Sequence, residues 1–170
     1  HLGRAAGDER EEVPVQGHEP GVPPEALAEQ SVLLDHAEGI SVATLAEPSL
    51  RDYLAPIVGN RLLEAAHRAG GNLIVKHDLV REFSSAWINE LLRLTTHCSG
   101  LGGWLVITGL HPAGLAVLQS TGLSKRLHLA DNESQAREMF ALRSRDEGAT
   151  VLGWLFGSPG RKGTDRRPAA

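Results

Sequence analysis

The stretch covering residues 72–108 most constrains the fold, because two apolar runs of strand length flank a segment of helix length. The first run, Leu73-Ile74-Val75, is continuously apolar, as expected for a strand that is covered on both faces of a sheet. The second run covers residues 104–107 and has the same character. Strands that alternate with helices in this way predict a mostly parallel sheet.

The segment between the two runs is predicted to form an amphipathic helix over residues 86–98. Its apolar side would consist of Trp87, Ile88, Leu91, Leu92, Leu94 and Cys98. The pair Ser84-Ser85 stands just before this helix, where a hydroxyl can cap it and an added phosphate would meet free backbone N–H groups. Capping alone would explain a serine here, since it contributes on the order of 1 kcal/mol whether or not the serine is modified.

The other elements follow the same alternation. We predict a hairpin from residues 31–35 and 40–45, a helix over 56–69, a short strand at 127–129, and a last helix capped by Asp131 or Asn132. Between the second central strand and the short strand, we predict a helix of about ten residues that follows Pro112 and ends at Gly122. The expected buried residues of the last two helices are Leu115, Val117, Leu118, Ala136, Met139, Phe140 and Leu142. The order β-β-α-β-α-β-α-β-α predicts one α/β domain with a mostly parallel sheet, an antiparallel hairpin at its start and about four helices.

Residues 31–143 are predicted to form this domain, between two tails. Residues 1–30 are rich in Gly, Pro and Glu and are expected to be disordered, with a short helix starting at Pro24 as an option. Residues 144–170 are expected to be loosely attached, and they contain an apolar patch at 151–156. This patch has three possible docking partners that the sequence leaves open: the domain itself, a neighbouring protein or a membrane surface. The sequence begins with His1 rather than Met, which leaves a missing or trimmed start as an open alternative.

Composition and charge disfavour several functional classes. The net charge of −4 and the 4% content of aromatic residues disfavour nucleic-acid binding, which needs basic surfaces and stacking platforms. A single cysteine excludes an internal disulfide and suits a reducing compartment, so we expect a cytoplasmic protein. The sequence has no apolar run of the roughly 20 residues that span a bilayer, and no secretory signal.

Catalytic, metal and cofactor sites are not indicated by the sequence. Ser85, His77 and Asp78 are the residue types of a hydrolase triad, but no Gly-x-Ser-x-Gly motif surrounds the serine, and His77 is adjacent to Asp78. No two histidines have the i, i+4 spacing of a helical metal site, and Cys98 has no second cysteine to join it. We therefore expect a protein that is not an enzyme and that needs no cofactor or metal.

An ordered series of short segments resembles the STAS domains of the anti-sigma-factor antagonist family. The matching segments are Leu73-Ile74-Val75, Ser84-Ser85, Leu91-Leu92-Arg93-Leu94, Gly102-Gly103-Trp104-Leu105-Val106-Ile107, Leu110-His111-Pro112 and Leu118-Gln119-Ser120-Thr121-Gly122-Leu123. The upstream hairpin and helix fit the same order and extend the likeness to residues 31–140. No single segment is specific, and the succession carries the resemblance.

This resemblance implies a switch by serine phosphorylation. In that family the second serine of the pair is the usual phosphoacceptor, which corresponds to Ser85, with Ser84 as the second choice. The implied partner is an anti-sigma factor that is itself a serine kinase, with a serine phosphatase as a further candidate. The implied contact surface consists of Ser84, Ser85, Asn89, Glu47, Asp52, Gly109 and His111.

The chain also departs from the family pattern. The family usually has Asp before the serine pair and Gly after it, where this chain has Phe83 and Ala86. An Asp is also common near the end of the preceding strand, where Lys76 stands. These differences concern recognition by a kinase. The alternative is therefore a STAS module that is not phosphorylated and acts as a scaffold or as a sensor of a ligand.

Overall fold

The computed structural model describes residues 21–156, and side chains up to residue 147. Its centre is a five-stranded sheet with the strand order β1-β2-β4-β6-β7. The strands of this sheet are β1 (Val32–Ala37), β2 (Ile40–Leu45), β4 (Leu73–Lys76), β6 (Leu105–Thr108) and β7 (His128–Ala130). β1 and β2 are antiparallel, and every later pair is parallel. The predicted mostly parallel sheet with an antiparallel start is confirmed.

Five α-helices surround the sheet in the described part of the chain. They are α1 (Pro24–Ser31), α2 (Leu54–Arg68), α3 (Ser85–Gly100), α4 (Pro112–Ser120) and α5 (Glu133–Phe156), with a 3₁₀ turn at Leu123–Lys125. The main core lies between the sheet and α2, α3 and α4. A smaller core lies on the opposite face, where Ala136 and Phe140 of α5 cover Ile74 and Val106 of the sheet. Strands β4 and β6 are thus buried on both faces, which accounts for their continuous apolar sequence.

Two short elements complete the fold. β3 (Ser49–Leu50) and β5 (Glu82–Phe83) pair in parallel as a separate two-stranded sheet. The sequence predicts no strand at either place, because two-residue strands carry no periodic signal. The β1–β2 hairpin turns at Glu38 and Gly39, whose φ angles of 56° and 76° are those of a two-residue hairpin loop.

For two residues, Val117 and Leu142, the predicted burial in the core is wrong. Val117 is 44% exposed and Leu142 is 58% exposed. Leu142 follows Phe140 by two positions, and this spacing places it on the opposite side of α5 from the residues that meet the sheet. Val117 is adjacent to the buried Leu118, so it faces about 100° away from the core.

The ends of the described chain bear on the predicted tails. α1 forms at Pro24, the predicted optional start, and leads directly into β1. α5 continues beyond residue 143 as far as Phe156. Residues 1–20 and 157–170, where most of the two predicted tails lies, are outside the described residues. The division into tail, domain and tail therefore stays a prediction.

Candidate functional site

The loops that follow β2, β4 and β6 meet at the carboxyl edge of the sheet. The carbonyl oxygen of Pro48 accepts hydrogen bonds from the backbone N–H groups of Arg81 (2.8 Å) and Glu82 (3.2 Å). The carbonyl of Leu50 accepts one from the N–H of Ser84 at 3.2 Å. Together with the β3–β5 pair, these bonds fix the segment after β2 beside the start of α3.

The two serines at the start of α3 have different roles. Ser84 is the N-cap residue, with extended backbone angles, and its Oγ accepts a hydrogen bond from the backbone N–H of Trp87 at 3.4 Å. Ser85 is the first residue of the helix and its side chain is exposed. Its hydroxyl has no hydrogen bond to any other residue of the described chain. Ser85 is therefore accessible to another protein, whereas Ser84 takes part in the helix cap.

An open groove lies beside this junction, with a volume of about 680 Å³. It is lined by Ser49, Leu50, Arg51, Asp52, Tyr53, Glu82, Phe83 and Ser84. Tyr53 is 40% exposed, so an aromatic ring is available at the surface next to charged side chains of both signs. Of the residues that line the groove, the sequence indicates Ser84 and Asp52 as contact residues and Phe83 as a departure from the family pattern. The others come from two segments about thirty residues apart, which only the β3–β5 pairing brings together.

A buried histidine supports the junction from behind. His77 is completely buried, and its Nε2 accepts a hydrogen bond from the indole N–H of Trp87 at 3.1 Å. Its Nδ1 lies 3.3 Å from the carbonyl oxygen of Val75, to which it donates its proton. Burial lowers the pKa of His77 to about 4, against smaller opposing effects of the Val75 carbonyl and Asp78. Both ring nitrogens are occupied, so His77 does not act as a base for Ser85. The sequence indicates His77 only as a residue type of a hydrolase triad and gives no signal of this supporting role.

Phe83 packs inward from the strand that precedes the serines. Its ring lies 6.5 Å from the ring of His77, centroid to centroid. It also lies against Gly114 in α4, where a Cβ atom would come within 2.6 Å of the Phe83 ring. The residue that departs from the family pattern before the serine pair is therefore part of the packing between β5, His77 and α4.

The remaining predicted contact residues lie along the same edge but differ in accessibility. Asn89 is exposed one helical turn after Ser85. Gly109 follows β6 with a φ of 69° and lies against the Asp78 carboxylate. His111 caps α4 through its Nδ1, which accepts from the N–H of Ala113 at 3.2 Å. Glu47 is partly buried and accepts a hydrogen bond from Ser31 at 3.1 Å, so its carboxylate is already engaged.

Lys76, at the end of β4, is paired with α5. Its Nζ lies 3.1 Å from the Glu133 carboxylate, which Arg137 also approaches at 3.1 Å. The hydrogen bond from Lys76 lowers the pKa of Glu133, and Arg137 adds to this effect. The lysine that replaces the family's usual Asp therefore has an acidic partner in this chain.

Other candidate chemistry finds little support in the described part of the chain. Residues 21–147 contain no cluster of three or more His, Cys, Asp or Glu side chains that could hold a metal ion. Cys98 is buried, and burial raises the pKa of its thiol to about 12, which disfavours the reactive thiolate. None of the helices described is both long and apolar enough to cross a membrane.

The fold is similar to that of solved anti-sigma-factor antagonist structures. The STAS domain protein from Planctomyces limnophilus is 18% identical with a TM-score of 0.60, and the match covers 65% of this chain and 97% of that one. A serine-to-glutamate variant of RsbS from Moorella thermoacetica is 21% identical with a TM-score of 0.58, covering 67% and 97%. An anti-sigma factor antagonist from Mycobacterium paratuberculosis is 19% identical with a TM-score of 0.57, covering 66% and 92%. No protein-family model matches the sequence, and no curated protein matches it either.

These likenesses establish the fold. Each covers nearly the whole of the other chain, so the complete STAS domain has a counterpart here. The resemblance inferred from the ordered sequence segments is therefore confirmed as a STAS fold.

Proposed function

We propose that this chain is an anti-sigma-factor antagonist that binds a kinase-type anti-sigma factor and is switched by phosphorylation of Ser85. The observation that carries the proposal is the difference between the two serines at the start of α3. Ser85 is exposed and has no hydrogen-bonding partner in the described chain, whereas Ser84 caps the helix. The similar fold of known antagonists supports the same role.

The site favours a switch through charge rather than through a change of shape. A phosphate on Ser85 adds roughly −1.5 to −2 charges at neutral pH. The dipole of α3 and the free N–H groups of its first turn can hold this charge without unfolding the helix. The Ser84 cap and the buried Trp87 hold the first turn in place. The added charge and bulk would then act on the bound partner, next to the acidic Glu82 and Asp52 of the groove.

The groove supplies a surface on which the partner can dock. Tyr53 offers an exposed aromatic ring, and such residues commonly carry a large share of binding energy in interfaces. Arg51, Asp52 and Glu82 surround it with charges that can orient a partner. Asn89 extends this surface along α3 on the side of Ser85.

A second candidate function rests on Phe83 and Lys76. Phe83 is packed on Gly114, and Lys76 is paired with Glu133, so neither position offers the acidic group usual in the family. A STAS scaffold, or a module that binds a ligand in the groove without phosphorylation, is consistent with this arrangement. On this alternative, Ser85 would contact a partner protein or a ligand and would not be phosphorylated.

Phosphorylation by a partner kinase separates the two candidates. The chain is incubated with ATP and with each kinase-type anti-sigma factor encoded near its gene, and its intact mass is then measured. The switch predicts the gain of one phosphate, which Ser85→Ala abolishes and Ser84→Ala retains. Binding of the same kinase without any gain of mass would favour the scaffold, and a gain that survives in Ser85→Ala would exclude Ser85 as the acceptor.

A further inference from the structure

Two histidines from neighbouring helices meet at the amino edge of the sheet. His67 lies in the last turn of α2 and His97 in the last turn of α3, and each helix ends shortly before a parallel strand begins. The centroids of their imidazole rings are 5.3 Å apart, and the ring planes are at 83° to each other. The two residues are far apart in the sequence, so the packing of α2 on α3 creates the pair and helical spacing gives no signal of it.

His97 has a buried ring nitrogen without a hydrogen bond. Its Nε2 atom has no partner among the residues that the structure describes. The other histidines of this part of the chain each engage a neighbouring group: His36 faces Ser41, His77 accepts from Trp87, His111 accepts from Ala113, and His128 stacks on Trp104. An unpartnered buried nitrogen loses the hydrogen bond that water would supply, so a ligand for it would be stabilising. His67 is exposed, which leaves the pair open to solvent on one side.

The separation of the two rings matches coordination of a single metal ion. Zinc lies about 2.0–2.1 Å from an imidazole nitrogen, and two imidazoles at a tetrahedral angle then have their ring centres roughly 5 Å apart. The observed 5.3 Å agrees with this distance. Because His67 is exposed, rotation about its side-chain bonds can aim a ring nitrogen at an ion held by His97.

The electrostatics around the pair favour a cation. Both α2 and α3 end here, and the last turn of a helix carries the negative end of its dipole. Arg93, one turn before His97 in α3, already donates to Glu90 and Asn60, so its charge is compensated. Arg68 follows His67 directly, and this spacing turns it about 100° away around α2. The positive charge nearby is thus either paired or directed away from the two rings.

We propose that His67 and His97 together bind a divalent transition-metal ion of the class that imidazole prefers, such as Zn²⁺, with water in the remaining coordination positions. Two protein ligands make an exchangeable site that responds to the supply of the ion, whereas a structural zinc site has four. Residues 21–147 accordingly contain no metal-binding cluster of three or more His, Cys, Asp or Glu side chains. The bound ion links the end of α2 to the end of α3.

The proposed metal site is separate from the candidate site at Ser85. Ser85 starts α3 at the carboxyl edge of the sheet, and His97 lies in the last turn of the same helix, about 18 Å further along at roughly 1.5 Å per residue. The proposal does not depend on phosphorylation of Ser85, and its test uses no kinase.

Isothermal titration calorimetry of the full, untagged chain with Zn²⁺ tests this proposal. We expect saturable binding in the parent. His67→Gln and His97→Gln should each weaken this binding by at least about tenfold, since even groups that only orient a metal ligand contribute that much. His36→Gln is the matched control, because it removes an exposed histidine on β1 and should leave the affinity unchanged.

Thermal unfolding gives a second measurement. An ion that binds the folded pair stabilises the chain, so Zn²⁺ should raise the thermal midpoint of the parent and of His36→Gln, but not of His67→Gln or His97→Gln. Without Zn²⁺ the midpoint of His67→Gln should stay close to that of the parent, because His67 is exposed, and this variant serves alone if His97→Gln does not fold. The proposal is overturned if the parent takes up no Zn²⁺ before the ion precipitates. It is also overturned if the folded variants bind Zn²⁺ as tightly as the parent, because the ion would then lie elsewhere on the chain.

Discussion

The indole N–H of Trp87 donates to Nε2 of His77 across 3.1 Å, and both side chains are completely buried. Because Nε2 accepts, the imidazole must be neutral and carry its proton on Nδ1, facing the Val75 carbonyl. A proton on Nε2 would place two donors against each other without water to separate them. The first turn of α3, which presents Ser85, therefore rests on a histidine that must stay neutral.

The first prediction is a loss of stability in mild acid. The pKa of His77 is about 4 in the folded chain and about 6.5 when unfolded, so the unfolded chain takes up the proton first as the pH falls. The free energy of unfolding should therefore decrease between pH 6.5 and pH 4 and level off below, with a full loss of about 3 kcal/mol from this residue. Urea unfolding at a series of pH values measures this decrease in the free energy of unfolding.

His77→Gln is the control for this prediction. An amide can accept from Trp87 and donate to Val75 but does not titrate, so the loss between pH 6.5 and 5 should largely disappear. His128→Gln should remove a smaller part of this loss of stability than His77→Gln does. Partial burial and Arg143 also lower the pKa of His128, so this residue contributes to the loss as well. Equal losses in the parent and in His77→Gln across this range would contradict the assignment.

The second prediction concerns Lys76 and Glu133. Lys76→Met should raise the pKa of Glu133 toward its ordinary value, because the hydrogen bond from Lys76 is the largest cause of its lowering. Arg137 remains within 3.1 Å and should retain part of the effect. The stabilisation from this pair is present above the ordinary pKa of Glu and is lost as the pH falls through the folded value. It should amount to less than about 1 kcal/mol, since both side chains are partly exposed to solvent.

An NMR titration of the Glu133 side-chain carboxyl measures this change. Arg61→Met is the matched control, because Arg61 pairs with the exposed Glu64 at 3.7 Å in α2. It should leave the titration of Glu133 unchanged. A Glu133 titration that is the same in Lys76→Met and in the parent would show that the pair is not formed in solution.

The third prediction concerns the close approach of two backbone segments. A Cβ atom at Gly103 would lie 2.2 Å from the carbonyl carbon of Gly71, and backbone cannot yield as a flexible side chain can. We expect Gly103→Ala to reduce the free energy of unfolding by about 3 kcal/mol, the upper range for overpacking. Gly100→Ala is the control, since a Cβ there meets nothing within 4 Å and should be neutral or slightly stabilising. Similar effects of the two substitutions in denaturant unfolding would refute the steric account.

The sheet could be predicted from the sequence because its central strands have an unambiguous pattern. Leu73 to Val75 are covered on both faces, so their continuous apolar run has no competing interpretation except a short buried helix. Gly70 and Gly71 end the preceding helix and remove that ambiguity. The N-cap role was also predictable, since Ser84 stands directly before an amphipathic segment.

The groove and its support could not be predicted, because they depend on long-range contacts. His77 and Asp78 are followed by a mixture of charged and apolar residues, which indicates a loop and says nothing about which side chain is buried. Trp87 lies ten positions further on, and its hydrogen bond to His77 depends on how α3 packs on β4. The exposed side of α4 could not be predicted for another reason. Most residues of this helix are apolar, so the sequence does not distinguish the exposed Val117 from the buried Leu118.

The fourth prediction separates the two serines by stability. Ser84→Ala removes the side-chain acceptor of the Trp87 N–H and should cost about 1 kcal/mol of unfolding free energy. Ser84→Asn should recover most of this loss, because Asn also caps helices. Ser85→Ala should stay within about 0.5 kcal/mol, as is usual for an exposed position without partners. Denaturant unfolding of the parent and the three variants measures these differences in the free energy of unfolding. If Ser85→Ala costs more than Ser84→Ala, then the Ser85 hydroxyl holds the fold together and is not free for modification.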